Sequence, residues 1–190
     1  VFDILNKTIN YVILRNFENI NEEMDSLHPD IDLLIDNRAN TINILNAQKT
    51  LKKKYRVQYM VLIDNKYINF DLRFIGDNYY DINWQKDILS TRVRQDFYYR
   101  PTVNNYFYSL LYHALLHKSQ LGADYEKRLL ELNNKNSIVS NTTHFTVLDI
   151  FNDLKDFISA HKYSITYPND FSVYWNYHLY SDANISWSLS

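Results

Sequence analysis

At 190 residues and 22.9 kDa, with 46% hydrophobic and 16% aromatic residues, the chain can bury one substantial core, which excludes global disorder. A net charge of -2 excludes an overall pull towards nucleic acid or an anionic membrane, and the lack of cysteine excludes disulfides, thiolate metal sites and a cysteine nucleophile. With only Gly76 and Gly122, no glycine-rich phosphate loop can form, so any phosphate must be held by side chains, a metal or a helix start.

No apolar run approaches the ~20 residues that span a bilayer, and no secretory signal is visible. A cytoplasmic protein is therefore expected. The sequence starts at Val1 rather than Met, which reads as a piece of a longer chain with other domains. The 17 tyrosines fit either stacking on carbohydrate or a coding bias towards AT-rich codons.

Phe2 to Ile9 carries apolar residues at 2, 4, 5 and 9, a short helical stripe. Tyr11-Val12-Ile13-Leu14 reads as a buried strand ending in Arg15-Asn16-Phe17-Glu18. Asn19 to His28 is polar and acidic, a loop or a loop with one helical turn. Then comes His28-Pro29-Asp30-Ile31-Asp32-Leu33-Leu34-Ile35-Asp36. As a strand over 30–35, it turns Asp30 and Asp32 to the same face, so one backbone element offers two oxygen ligands to one divalent cation.

Asn37 to Gln48 follows as a helix, with Asp36 or Asn37 as its cap and Ala39, Ile42 and Leu45 on its apolar side. Lys52-Lys53-Lys54 is a basic run at a turn, either solvated or attractive to a triphosphate. Arg56 to Ile63 and Tyr67 to Ile75 form a hairpin around Asp64-Asn65-Lys66. Asp71 thus stands inside a largely apolar strand, where a carboxylate is costly unless it is paired or metal-bound. Arg73 shares its face and can be that partner or a phosphate ligand.

Gly76 to Asp81 is turn-rich, Trp84 to Arg92 helical with Trp84, Ile88 and Leu89 inward, and Arg92, Arg94 and Arg100 bracket a loop leading to Pro101. Asn104 to Lys118 is the clearest helix, its apolar face made by Tyr106, Phe107, Leu110, Leu111, Ala114 and Leu115. His113 and His117 lie one turn apart on it, a spacing open to a core role, a substrate-facing role or a shared zinc. Asp124 to Leu132 and Phe145 to His161 continue the helical pattern around a polar linker over Asn133 to Thr143, and Tyr163 to Trp175 reads as extended.

The expected fold is α/β (α+β): a small mixed sheet with flanking helices over 1–100, and a helical subdomain over 101–190 packed on it as one compact unit. If the strands carrying Asp30, Asp32 and Asp71 are neighbours, three acids converge on a site for a hard cation such as Mg²⁺ or Mn²⁺. The competing reading is structural: Asp30 caps a turn, Asp32 faces solvent and Asp71 pairs with Arg73.

The order of a strand ending in Leu14-Arg15-Asn16-Phe17-Glu18, then Asp30-Ile31-Asp32-Leu33-Leu34, then Phe70-Asp71-Leu72-Arg73-Phe74-Ile75-Gly76-Asp77 resembles the nucleotidyltransferase superfamily with the DNA polymerase β-like palm. Within it, the chain is similar to the branch associated with surface polysaccharide synthesis, a likeness that extends to Asn105 to Lys118 and to Tyr163 to Asn176. The resemblance implies that Asp30, Asp32 and Asp71 bind the metal and carry catalysis, with Asp71 helping to activate an acceptor hydroxyl. It implies a nucleotide or nucleotide-activated donor and a sugar, phosphosugar or glycan-end acceptor, and no nucleic-acid partner is expected because the chain carries no nucleic-acid motif and no net positive charge. Members of the superfamily usually carry Gly-Ser or Gly-Gly after the first strand, where the backbone approaches the triphosphate. Here Arg15-Asn16 stands there, so Arg15 replaces that contact as a charged phosphate ligand, or nucleotide binding is altered or absent. Related phosphocholine and ribitol-phosphate transferases share an Asp-x-Asp, which keeps transfer of a phosphorylated alcohol open. The alternative class is a non-catalytic module of this fold that serves binding or docking in a larger glycan-assembly protein.

Overall fold

The structure is a computed structural model describing residues 1–26, 29–50, 56–139 and 146–181. His28 and the basic run Lys52–Lys54 lie outside the described residues. The chain divides into two compact units, one of residues 1–102 with 165–171, the other of 103–164 with 172–190.

The first unit is built on a five-stranded mixed sheet of β1 (Tyr11–Ile13), β2 (Asp30–Ile35), β3 (Gln48–Lys49), β4 (Gln58–Ile63) and β5 (Lys66–Phe74), in spatial order β1-β2-β5-β4-β3. β1 runs antiparallel to β2, β2 parallel to β5, and β5 and β4 form an antiparallel hairpin. Its turn residues Asp64 and Asn65 have φ of 49° and 65°, and short polar side chains tolerate this left-handed conformation best after glycine.

Period-two geometry splits the sheet's side chains between two faces, with buried Leu34 and Val12 on the same side as Arg73. Ile31, Leu33 and Ile35 of β2, Phe70 and Leu72 of β5, and Tyr59 and Val61 of β4 are all buried on one face. Removing one such side chain from water contributes about 1.5–3 kcal/mol. The other face carries Asp30, Asp32, Asn69, Asp71, Arg73 and Gln58.

α1 (Phe2–Thr8) precedes β1, and α2 (Ile20–Asp25) follows a single 3₁₀ turn at Phe17–Asn19. α3 (Arg38–Leu45) starts at Asn37, whose side chain accepts a bond from the Asn40 amide, as expected for a cap. Its inward residues are Thr41 and Leu45, whereas Ala39 is exposed and Ile42 half-buried. The helix also stops short of Gln48, because Asn46 enters the left-handed region at φ 47° and the chain turns into β3. α4 (Ile82–Ser90) is capped by Asp81, buries Trp84, Ile88 and Leu89 as expected, and packs against β1 and β2. The stretch read as a loop before Pro101 is a small hairpin, β6 (Val93–Gln95) and β7 (Tyr98–Arg100), turning at Asp96 with φ 50°. It is anchored by buried Tyr98, which donates to the Phe17 carbonyl at 2.9 Å.

In the second unit α5 (Val103–Leu116) packs on both α6 (Ala123–Asn136) and α7 (Val147–Ala160). All six apolar residues expected to line α5 are buried, and Tyr108 stacks on Phe157 with centroids 3.9 Å apart. α6 continues to Asn136, past the expected start of the polar linker. Among the described residues, 163–175 contains no strand.

Candidate metal and phosphate site

The parallel register sets Asp32 directly beside Asp71, and Asp30 beside Asn69. Side chains at paired positions project to the same side of a sheet, so all three acids of the sequence reading stand on its polar face. Asp32 is 7% exposed, Asp71 is half-buried and Asp30 is exposed at the start of β2.

Asp32 does not face open solvent. Arg15 reaches it immediately after β1, donating from Nε to Oδ2 at 3.1 Å and from Nη2 to Oδ1 at 2.5 Å. Its remaining Nη1 donates to the Tyr79 hydroxyl at 2.9 Å. Asn16 makes this possible by turning the chain with φ 59°, and its own side chain makes no capping bond to the turn that follows. Arg73 lies on the same face, 3.5 Å from Asp71 through Nη2 and 3.5 Å from Asp170 through Nη1. Its guanidinium also sits 4.2 Å from the Tyr79 ring centroid, and that of Arg15 lies 5.8 Å from the same ring.

The loop after β5 is rigidified by bonds rather than by apolar packing alone. Asp77 accepts from the Tyr79 amide at 2.9 Å and from Gln85 Nε2 at 2.6 Å, while Gln85 Oε1 accepts from the Gly76 amide at 2.8 Å. Gly76 itself has φ +90°, a conformation that strains any residue with a Cβ. The distant segment 165–171 is tied to this loop by the Asn169 amide on the Asp77 carbonyl at 3.0 Å and by Thr166 on the Asn78 carbonyl at 2.9 Å. That bond pattern carries Asp170 to Arg73.

Crowded negative charge marks the face. The Asp30 carboxyl is pushed up to about 7, first by desolvation and then by Asp32 and Asp71, with Arg15 opposing. Asp30 is nevertheless open to water, which screens part of that effect. The Asp71 carboxyl is raised by burial and by Asp32, with Arg73 and Arg15 opposing, and Asp77 is raised by burial against the pull of Arg73.

Three carboxylates on one face are the hard oxygen donors that suit Mg²⁺ or Mn²⁺, and their mutual repulsion is what a cation would relieve. The donor chemistry fits. In the conformation described, however, Arg15 already satisfies both oxygens of Asp32, and among the described residues no three His, Cys, Asp or Glu side chains form a group that could hold a metal.

His113 in α5 and His117 just past its end are both buried, ring centroids 5.6 Å apart, within a cluster containing Tyr125 and Trp175. Sequence reasoning missed Glu23, Tyr79 and Asp170. Glu23 accepts from the Asp30 amide at 3.0 Å, and its acid-rich helix was a usable signal. Asp170 reaches the face from 97 residues beyond Arg73, and nothing local in sequence announces it.

No family model, curated protein or solved structure matches the chain. No helix among the described residues is long and apolar enough to cross a membrane.

Proposed function

We propose that the chain transfers a nucleotidyl or related phosphoryl group, with a divalent cation, to a small acceptor: a sugar, a phosphosugar or a glycan end in surface polysaccharide synthesis. The reading includes a nucleotidyltransferase-type fold and a cytoplasmic setting. The observation that carries it is the Asp32–Asp71 register on a polar sheet face, with Asp30 two residues away. The strand directions add support, because an antiparallel β1–β2 pair followed by a parallel β2–β5 pair brings Arg15 and all three acids to one side.

Asp30, Asp32 and Asp71 would hold Mg²⁺ or Mn²⁺, which when bound neutralises phosphate oxygens and aligns attacking and leaving oxygens. Arg73 offers a guanidinium fork to a donor phosphate, and Arg15 offers a second. The family resemblance gives Asp71 the further role of helping to activate the acceptor hydroxyl, and its carboxyl is raised by burial and by Asp32.

A second reading, a non-catalytic binding or docking module of a larger glycan-assembly protein, is favoured by one observation, the engagement of both Asp32 oxygens by Arg15. Thermal-shift measurements with nucleoside triphosphates, CDP-alcohols and nucleotide sugars, each with and without Mn²⁺, separate the two. A donor at a hundredfold its Kd adds about 2.7 kcal/mol to stability. Under the transferase reading one donor class gives a Mn²⁺-dependent shift that Asp71→Asn abolishes. A module without this chemistry gives no such shift with any donor.

A further inference from the structure

The polar face gathers several carboxylates, and its two guanidiniums nearest the three acids are held differently. The carboxylates of Asp30, Asp32, Asp71, Asp77 and Asp170 gather around the guanidiniums of Arg15 and Arg73, and Asp170 also interacts with Lys49. Arg15 is engaged at Nε, Nη1 and Nη2. Arg73, 5% exposed, meets its two carboxylates only at 3.5 Å, and its buried Nε has no hydrogen-bond partner among the described residues. An underused buried donor is unfavourable until an acceptor reaches it.

We propose that Arg15 is a displaceable internal counter-ion: it rests on Asp32 until a di- or triphosphate donor takes its fork beside Arg73, while a divalent cation takes the freed Asp32 oxygens. This rests on the phosphoryl-transfer reading and adds a binding order to it. A guanidinium fork matches phosphate as well as it matches carboxylate, so Arg15 trades one charge-assisted pair for another. Both guanidiniums lie close to the Tyr79 ring, and Arg15 also donates to its hydroxyl, so Tyr79 is the side chain they share. A cation arriving alone must evict Arg15 and leave a buried guanidinium without its counter-charge, which is strongly unfavourable. A phosphate donor removes that obstacle. Cation and donor therefore strengthen each other's binding through Arg15, and the coupling is reciprocal. Arg15 is thus a positioning residue in the resting protein and a phosphate ligand in the loaded one.

The test is titration of the whole chain with Mn²⁺ alone, followed by electron paramagnetic resonance, for the unaltered protein and for Arg15→Gln. The inference expects the variant to bind Mn²⁺ about tenfold more tightly or better, because the coupling cost is gone. Equal or weaker binding by the variant overturns the inference and leaves the transferase reading standing. No Mn²⁺ uptake by either protein, with or without pyrophosphate, removes that reading and the exchange together. Because Arg15→Gln strips a buried partner from Asp32 and can unfold the chain, a second measurement uses the unaltered protein. Nitrogen NMR of the Arg15 Nε–H during titration with Mg²⁺ and pyrophosphate should show a shifted signal with altered water exchange at saturation. An unchanged Nε–H at saturation overturns the inference.

Discussion

The two faces of the central sheet share a backbone and almost nothing else. On β2 and β5, Ile31, Leu33, Ile35, Phe70 and Leu72 turn to one side and are fully buried, while Asp30, Asp32, Asn69, Asp71 and Arg73 turn to the other. Burial on the first side stabilises without needing partners. On the second, each charged group taken from water requires a specific counter-charge, so Asp32 is tied to Arg15 and Arg73 is divided between Asp71 and Asp170. Apolar burial and charge pairing are thereby separated by a single residue's step along the chain.

Substitutions on each face test that separation. Phe70→Ala should cost about 3–5 kcal/mol in urea unfolding, because it empties a fully buried position between β2 and β4. A loss below about 1 kcal/mol would mean this face is not the core.

Asp30→Asn probes the other face through pH. With the folded carboxyl at about 7 against an ordinary value of 3.8, the folded state binds more protons than the unfolded state between those limits. Its contribution is therefore fully present below the lower value and is lost as pH rises through the upper one. Asp30→Asn should flatten that decline, leaving the melting temperature unchanged near the lower limit and raising it above the upper one. Solvent screening keeps the gain below ~4 °C. A melting temperature that falls on substitution at high pH would contradict this. Smallest of all, Leu62→Ser, on the polar face but 56% exposed at the sheet edge near the hairpin turn, should stay within about 0.5 kcal/mol in the same urea assay.

Sequence was most informative where local pattern and tertiary demand agreed. β2 was legible to its end residues because an Asp-x-Asp start and an apolar run mark one strand, and the β4–β5 hairpin because Asp64-Asn65 tolerate its turn. α4 and α5 followed from apolar periodicity. β3 and the β6–β7 hairpin were not legible, since strands of two or three residues carry too little alternation to be seen. At the site, the three acids and Arg15 were visible as residue types, but their mutual engagement was not. Whether Arg15 faces a phosphate or Asp32 depends on the left-handed turn at Asn16 and on Tyr79, 64 residues away.

The discontinuity of the first unit bears on how the protein comes to be made. Residues 1–102 include every strand among the described residues, yet Asp170 and its neighbours are translated only after the whole of α5, α6 and α7. At ordinary elongation rates that interval lasts roughly 3 to 14 seconds. Throughout it, a nascent sheet emerging from the ribosome has Arg73 with Asp71 but lacks its second carboxylate. Completion of the charge network is thus a late event of biosynthesis, long after the strands that support it are available to pair.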